Sequence, residues 1–299
     1  MKSVILVTGA ATGIGRLSAR SLAQAGHTVY ASMRDIEGRN APKVRELRDW
    51  SFANGLDLRA VELDVLSQPS ADAAVAHILA EQGRLDVLVH NAGHLVIGPT
   101  EAYTPEEITK VLDTNFLGAH RVNRAALPAM RRAEAGLLLW VSSSTVRGGF
   151  PPLLGPYAAA KAAMDSMAVT MSYELARFGI ETSIVVPGAF TKGTDHFPSA
   201  GKPADAALAA AYARYDGVMD QVGQRLSALS PPDADPQAVA DDITRIVGLP
   251  AGTRPFRSVT DFIDDGAAEV TVVAERVREE FARRMGIADM LKPVVRRTA

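Results

Sequence analysis

The opening stretch of this 299-residue chain constrains the fold more than any other. Val4–Val7 is a short, wholly apolar run that suits a parallel strand buried on both faces. It leads into a glycine-rich turn, residues 8–15 (TGAATGIG), and then into a helical pattern over residues 17–25. Glycines let the backbone approach a pyrophosphate, and the helix N-terminus supplies amide donors and a positive dipole end. The stretch therefore predicts a phosphate-binding strand–turn–helix unit, against the alternative of a tight turn that binds nothing.

The segments that follow alternate between strand and helix. Apolar runs predict further strands at residues 28–32, 58–63, 85–89, 137–141, 182–186 and 254–260. Helical patterns lie between most of them, which is the arrangement that right-handed βαβ crossovers produce. We therefore expect one α/β domain with a doubly wound, Rossmann-type parallel sheet and helices on both faces. Ligands in such a sheet bind beyond the carboxyl ends of the strands.

Composition excludes several classes of protein. The chain has no cysteine, which removes disulfides, thiolate catalysis and cysteine metal sites, and its six histidines show no metal-ligand spacing. A formal net charge of −2 gives no reason to expect nucleic acid or an anionic membrane as partner. No apolar run approaches the roughly 20 residues of a membrane span, and the first apolar run is too short for a signal peptide. We expect a cytoplasmic protein that begins near Met1.

The end of the second predicted strand indicates which cofactor binds. In dinucleotide sites an acidic residue near this point holds the ribose 2′-hydroxyl of NAD, whereas an arginine accommodates the 2′-phosphate of NADP. Met33 stands where the acid is expected, Arg34 follows it, and Asp35 comes next. Arg34 favours NADP. The alternative is that Arg34 is merely exposed and that Asp35 reaches the ribose of NAD.

Polar residues also follow the next strands. Asp64 comes after the third strand and could cap the next element or bind the adenine amino group. Asn91 comes after the fourth and could form a turn or brace the cofactor. Thr104 and Glu107 form a capping box that opens a long helix. Asn115 falls on the apolar stripe of that helix, either as a satisfied core amide or as a polar link between the active site and a buried water.

The stretch from Trp140 to Lys161 carries the candidate chemistry. Serines 142–144 follow the fifth predicted strand, and a Gly/Pro-rich loop leads to a helical segment with Tyr157 and Lys161. A spacing of four places the phenol and the ammonium one turn apart on the same helical face. A neighbouring lysine is expected to lower the tyrosine pKa, so that the phenol can exchange a proton with a reacting oxygen. The alternative is an ordinary surface pair.

Taken together, these pieces resemble the short-chain dehydrogenase/reductase family, in its shorter, single-domain branch. The resemblance extends to about residue 190 and is carried by the glycine turn, Asp64-Val65, Asn91-Ala92-Gly93, Asn115, the serine run, Tyr157 with Lys161, and Pro187-Gly188. It implies NADP(H)-linked hydride transfer between a carbonyl and a secondary alcohol, with no metal. It also implies cofactor contacts from Gly9, Thr12, Gly13, Ile14, Gly15, Arg34, Asp64, Val65, Asn91, Ala92, Gly93, Tyr157, Lys161, Pro187, Gly188 and Thr191.

The resemblance implies a role for each catalytic residue. Tyr157 is the general acid in reduction and the base in oxidation, Lys161 lowers its pKa and binds the nicotinamide ribose, and Asn115 holds a water in the proton relay. A serine polarises the carbonyl oxygen. Aligning the strand end selects Ser143 for this role, while counting back from Tyr157 selects Ser144. We favour Ser143, because strand geometry fixes a side chain better than a loop does, and we expect Ser144 to line the substrate pocket. Other possibilities are an NAD(H)-dependent dehydrogenase, a cofactor-binding regulatory protein without turnover, and a scaffold.

The rest of the chain departs from the family pattern. After Pro187-Gly188 the resemblance implies a threonine against the nicotinamide; Thr191 comes one place early and Thr194 late. Residues from about 190 to 232 include an alanine-rich helical pattern over 206–226 and are expected to form a substrate-side insertion or lid. His196 is expected to be a loop residue. A C-terminal helix and tail from about 265 to 299 carry an apolar stripe that is either core or a subunit contact, with Arg296 and Arg297 solvated. We expect a homo-oligomer, a dimer or tetramer.

Overall fold

The computed structural model describes residues 2–215 and 217–294, so the predicted tail with Arg296 and Arg297 lies outside the described residues. Seven strands form one sheet. They are Val4–Val7 (β1), Thr28–Met33 (β2), Leu58–Glu62 (β3), Val87–His90 (β4), Gly136–Val141 (β5), Ile180–Pro187 (β6) and Arg257–Thr260 (β7). The helices are Gly13–Gln24 (α1), Ala41–Ala53 (α2), Gln68–Gln82 (α3), Pro105–Leu112 (α4), Gly118–Ala133 (α5), Gly155–Ala176 (α6), Ala206–Ala210 (α7), Val218–Leu229 (α8), Gln237–Gly248 (α9) and Ala267–Arg284 (α10).

All strand pairs are parallel, and their order is β3-β2-β1-β4-β5-β6-β7. The order reverses direction between β1 and β4, where the connections leave the sheet on opposite faces and open a crevice at the carboxyl ends. The predicted doubly wound, Rossmann-type fold is confirmed. All seven predicted strands form, with ends that differ by up to three residues.

The sheet is buried between two apolar layers. Strand β1 shows why its sequence is continuously apolar: Val4 and Leu6 face one layer, and Ile5 and Val7 face the other. Residues of α3, α5 and α6 fill the first layer, and residues of α1, α2 and α9 fill the second. Each strand residue therefore buries apolar surface on one face or the other. This burial stabilises the fold by about 25 cal/mol per Å² of apolar surface removed from water.

Two helical predictions are corrected by the structure. The long helix capped by Thr104 and Glu107 has its capping box, but a π-helical segment, Asp113–Leu117, interrupts it between α4 and α5. The alanine-rich pattern over 206–226 is not one helix. It breaks into α7 and α8, and Gly217, with φ of +82°, immediately precedes α8. Glycine adopts this positive φ without the steric cost that other residues meet.

Helix α10 forms as predicted, but its apolar stripe is not core. Val270, Val273, Val277 and Phe281 are exposed, while α10 buries Ala267, Thr271 and Ala282 instead. The small residues on the inner face allow close approach to the protein, and the larger apolar residues point to solvent. Of the two interpretations of this stripe, the core interpretation is wrong.

Candidate active site

One cleft of about 850 Å³ lies at the carboxyl ends of the central strands. Its wall contains most of the residues singled out from the sequence: Gly9, Thr12, Gly13, Ile14, Gly15, Arg34, Asp64, Val65, Asn91, Ala92, Gly93, Ser143, Ser144, Tyr157, Lys161, Pro187 and Gly188. Asn115 and Thr191 are not part of this wall. The crossover topology thus brings six separate loops, far apart in the sequence, to one end of the sheet.

The glycine turn is packed tightly against the loop that follows β4. A Cβ added to Gly9, whose φ is +66°, would lie 2.7 Å from the Ala92 Cα, so no larger residue fits. The Asn91 side chain donates hydrogen bonds from Nδ2 to the carbonyl oxygens of Thr8 (2.9 Å) and Gly9 (3.1 Å). The Asn91 side chain therefore holds the glycine turn in place.

The turn opens towards the cleft at the N-terminus of α1. Thr12 occupies the N-cap position but its side chain caps no amide, and the first turn of α1 holds no acidic residue. A Cβ at Gly13 would meet nothing closer than the Thr194 Cβ at 3.7 Å. The helix N-terminus therefore presents amides and a positive dipole end without a competing carboxylate, which is what an anionic phosphate requires.

The far end of the cleft is basic. Arg34 lines it together with Arg39 and Lys43, which the sequence analysis missed because it did not identify helix α2. Asp35 does not line the cleft: its carboxylate accepts a hydrogen bond from the Arg39 backbone N–H (2.9 Å). The Asp35 backbone N–H in turn donates to Glu62 (2.8 Å). The loop conformation therefore turns the acid away and leaves three cations facing the cleft.

The structure distinguishes the two candidate serines. The Ser143 side chain lies close enough to Tyr157 to lower the pKa of its phenol. Ser143 Oγ also accepts hydrogen bonds from the Thr145 backbone N–H (3.3 Å) and the Thr145 hydroxyl (3.0 Å), which fix its position. The Ser144 hydroxyl instead contacts the Asp265 carboxyl group. Both serines line the cleft, but Ser143 acts on Tyr157 and Ser144 on Asp265.

Burial dominates the electrostatics of Tyr157 and Lys161. It raises the pKa of Tyr157 to about 12, and the Ser143 side chain opposes this shift. Burial also lowers the pKa of Lys161 to about 8, although the Asp165 carboxylate acts in the opposite direction. The expectation that Lys161 lowers the tyrosine pKa is not met in this structure. Lys161 donates its hydrogen bond to the Val141 carbonyl oxygen instead (2.9 Å), and desolvation of the phenol outweighs other effects.

Asn115 lies in the π-helical segment directly behind the cleft wall. It is fully buried and its amide is satisfied: Nδ2 donates to the carbonyl oxygens of His94 and Val111, and Oδ1 accepts from the His94 backbone N–H, all at 3.0 Å. A Cβ at Gly93 would lie 2.8 Å from Asn115 Oδ1 and 3.6 Å from Lys161 Nζ. Asn115 therefore holds the loop after β4 beside the lysine. π-Helical segments frequently occur at functional sites.

A buried ion pair between Asp165 and Arg257 lies next to Lys161 along helix α6. Asp165, one turn after Lys161 on α6, accepts hydrogen bonds from both Nη atoms of Arg257 (2.6 and 2.9 Å) and from the Ser142 hydroxyl (2.8 Å). The pair therefore connects α6 to β7 and to the end of β5. No local sequence pattern indicates this pair, because Arg257 lies 92 residues from Asp165 along the chain.

The segment after β6 forms one wall of the cleft. Thr194 reaches the cleft, whereas Thr191 does not. Two backbone hydrogen bonds join this segment to the loop after β4. The Gly201 carbonyl oxygen accepts from the Ile97 N–H (2.8 Å), and the Gly201 N–H donates to the Leu95 carbonyl oxygen (2.9 Å). The His196 ring stands edge-on to the Tyr157 ring, with centroids 5.6 Å apart. Burial, with contributions from Lys161 and His94, lowers the pKa of His196 to about 4, so this loop histidine is neutral at pH 7.

Tyr157 packs with Leu95, Leu154 and Phe197 in one apolar cluster, and Phe150 and Leu226 also line the cleft. Over the described ranges, 2–215 and 217–294, no cluster of His, Asp and Glu side chains could hold a metal ion. In the same part of the chain, no helix is both long and apolar enough to cross a bilayer.

Known proteins resemble this chain in sequence. The sequence model of the short chain dehydrogenase family matches residues 3–203. A 3-ketodihydrosphingosine reductase of Bacteroides thetaiotaomicron is 36% identical over 190 residues, which cover 64% of this chain and 65% of that protein. Human 17-beta-hydroxysteroid dehydrogenase type 1 is 33% identical over 195 residues, which cover 62% of this chain and 56% of that protein. The matched region spans less than two thirds of either relative.

Solved structures resemble it over nearly the whole chain. A short-chain dehydrogenase from Streptomyces avermitilis superimposes with a TM-score of 0.72 at 30% identity, covering 96% of this chain and 97% of that one. A variant of the actinorhodin polyketide ketoreductase, solved with NADPH, gives 0.71 at 27% identity, covering 89% and 97%. Fold, cleft and sequence agree, and the chain belongs to the short-chain dehydrogenase/reductase family of oxidoreductases.

Proposed function

We propose that this protein transfers a hydride between NADP(H) and a carbonyl or secondary alcohol substrate, with Tyr157 as general acid and base. The observation that carries the proposal is the grouping of Tyr157 and Ser143 in the wall of the cleft, with Lys161 one helical turn away. The glycine turn at the other end of the same cleft supports a dinucleotide as the second occupant.

The residues present fit a dinucleotide. The pyrophosphate would lie against Thr12, Gly13 and Ile14, where no side chain fills the space and no carboxylate competes. Asp64 and Val65 would border the adenine, and Lys161 the nicotinamide ribose. Among the residues after β6, we propose Thr194 rather than Thr191 as the contact for the carboxamide, because Thr194 lines the cleft. When bound, the nicotinamide supplies or accepts the hydride.

Three cations favour NADP(H) over NAD(H). A 2′-phosphate carries up to two negative charges, and a guanidinium can bind it through paired, charge-assisted hydrogen bonds. Arg34, Arg39 and Lys43 all line the adenosine end, and Asp35 is engaged elsewhere. The Met33 side chain is buried, so no acid takes the place expected to contact the ribose in NAD binders.

The proton step belongs to Tyr157. In reduction its phenol donates the proton to the carbonyl oxygen, and in oxidation its phenolate accepts the proton of the alcohol. The Ser143 hydroxyl donates a hydrogen bond to the same oxygen and stabilises the charge that develops there. Because the pKa of Lys161 is about 8, its ammonium is charged at neutral pH and favours the phenolate as the phenol loses its proton. We retain the proposal that Asn115 holds a relay water behind Lys161.

The substrate would enter over the apolar wall. Residues from about 190 to 232 form the insertion that we propose as the lid of a single catalytic domain, with His196 and Phe197 beside Tyr157. Apolar side chains surround this end and the basic residues lie at the other, which favours an apolar, uncharged ketone. The hydroxysteroid and ketodihydrosphingosine enzymes among the relatives are consistent with such a substrate.

A substrate screen tests the proposal. The protein is incubated with NADPH and a panel of apolar ketones, and loss of the reduced cofactor is followed by its absorbance, with NADPH binding measured separately by fluorescence. We expect binding and consumption with at least one apolar ketone. Binding without consumption, across the panel and across the corresponding alcohols with NADP, would contradict the catalytic proposal and favour a regulatory role.

A further inference from the structure

Helix α10 presents a continuous apolar stripe to solvent. Val270, Val273, Val277, Phe281 and Met285 are each between 45% and 58% exposed. Their spacing of three or four residues places them along one side of the helix. Single exposed apolar residues are common on protein surfaces, but a row of five large ones marks an interaction surface. We call these five residues the α10 stripe.

The stripe is carried on a firmly anchored helix. On the inner side of α10, Glu275 forms ion pairs with Arg257 (3.5 Å) and Arg278 (2.8 Å). The Arg278 guanidinium also stacks over the Phe256 ring, 3.7 Å from its centroid. These contacts fix the rotation of α10 about its axis, so that its exposed face is already positioned to bind.

We propose that the α10 stripe pairs with the same stripe of a second copy of this chain, with the two helices antiparallel about a two-fold axis at Val277. A closed dimer requires a surface that is complementary to itself. The stripe is centred on Val277: Val273 and Phe281 lie four residues to either side, and Val270 and Met285 lie at its two ends. Antiparallel pairing therefore sets Val273 against Phe281 of the second copy.

The charges beside the stripe fit this arrangement. Glu269, Arg276, Glu280 and Arg284 are exposed, and at about 100° per residue they fall on one flank of the stripe. An antiparallel two-fold axis brings this flank against the same flank of the second copy. With a rise of about 1.5 Å per residue, Glu269 comes level with Arg284 of the second copy, and Glu280 lies within about 3 Å along the axis of its Arg276.

Parallel pairing would do the opposite. It would place this flank against the opposite flank of the second copy, so that Glu269 and Glu280 would lose their pairing with Arg284 and Arg276. It would also align the two helix dipoles side by side in the same direction, whereas antiparallel helices place opposite ends together. Both the charges and the dipoles thus select the antiparallel dimer.

The absence of cysteine from the chain allows a direct test by cross-linking. In Val277→Cys the two thiols meet at the axis, and mild oxidation should give a covalent dimer as the main product on a non-reducing gel. Val272→Cys is the matched control, because Val272 is 71% exposed but lies about 140° from Val277 around the helix. Cross-linking of Val272→Cys but not Val277→Cys, or of neither variant, would overturn the proposal.

A charge exchange tests the antiparallel register. Light scattering after gel filtration should show a dimer, or a multiple of one, for the wild type. Glu269→Arg alone and Arg284→Glu alone should each weaken the association at least tenfold, and the double variant should restore it, with circular dichroism confirming folding. A monomeric wild type, or a double variant as weak as the single ones, would overturn the proposal. Vesicle binding that Val277→Arg abolishes, without any dimer, would assign the stripe to lipid instead.

Discussion

At the scale of single residues, burial sets the chemistry of this site. Tyr157 and Lys161 are both buried, and desolvation disfavours the charged form of each, raising the pKa of one to about 12 and lowering that of the other to about 8. The phenol is therefore held protonated, as the reductive direction requires. The Ser143 side chain beside the phenol opposes the rise of the tyrosine pKa, and Lys161 donates a hydrogen bond to the Val141 carbonyl oxygen.

The two serines should differ sharply in their contribution to turnover. Ser143→Ala removes the hydroxyl beside Tyr157 and should lower kcat/KM by roughly a hundredfold or more, as expected for the loss of one donor to a developing oxyanion. Ser144→Ala removes only the contact with Asp265 and should lower kcat/KM by less than about tenfold. Steady-state measurements of kcat/KM for both variants, with the ketone that the wild type reduces fastest, test this difference. Equal, small effects of both would refute polarisation by a serine, and a larger effect of Ser144→Ala would exchange their roles.

A buried histidine should make the fold sensitive to acid. Burial lowers the pKa of His90 to about 4, although its Nε2 is hydrogen-bonded to Asn123 (2.7 Å). The unfolded chain, with a pKa near 6.5, takes up the proton first as the pH falls, so stability present above pH 6.5 is progressively lost towards pH 4. At about pH 4.5 the loss from this residue is roughly 2–3 kcal/mol.

Urea unfolding at pH 7 and at about pH 4.5 measures this effect. His90→Gln should reduce the difference in unfolding free energy between the two pH values. His120→Gln, at an exposed position on α5, should leave it unchanged and serves as the control. An unchanged difference in His90→Gln would mean that His90 is not held neutral by burial.

At the scale of secondary-structure elements, the proposed preference for NADP(H) rests on the loop after β2 and the first turn of α2. Arg34→Ala removes one of the three cations at the adenosine end, and charge-assisted hydrogen bonds are worth about 1.5–3 kcal/mol each. The ratio of kcat/KM for NADPH to that for NADH should therefore fall by roughly tenfold or more. Arg48→Ala is the control, because Arg48 is exposed on α2 and does not line the cleft. A wild type that prefers NADH, or an unchanged ratio, would make Arg34 an ordinary surface residue.

The secondary-structure elements differ in how far they could be predicted from the sequence. The strands could be predicted because burial on both faces demands continuous apolar runs, as in Val4–Val7. The capping box at Thr104 could be predicted because its bonds are local. The π-helical segment at Asp113–Leu117 could not, because it rests on contacts of Asn115 with His94, 21 residues away. Arg39 and Lys43 were missed together with helix α2, which carries Lys43 and begins two residues after Arg39.

At the scale of the whole molecule, topology turns scattered motifs into one site. The sequence placed the glycine turn and Asn91 at the ends of parallel strands and Tyr157 and Lys161 on a helix, and a single sheet order then brings them to one cleft. Choosing between Ser143 and Ser144, or between Thr191 and Thr194, required knowing which way each loop turns. The burial that sets the pKa of Tyr157 likewise depends on packing between distant segments, including the edge-on His196 ring.

The kinetic comparison of the wild type with Tyr157→Phe tests the central claim most directly. The phenyl ring keeps the packing in the cleft but cannot transfer a proton, so kcat/KM for ketone reduction should fall by at least about a hundredfold. The dissociation constant for NADPH, measured by fluorescence, should stay within about threefold of the wild-type value. If Tyr157→Phe instead reduced the ketone at a rate close to that of the wild type, Tyr157 would not be the general acid and the proposed mechanism would be wrong.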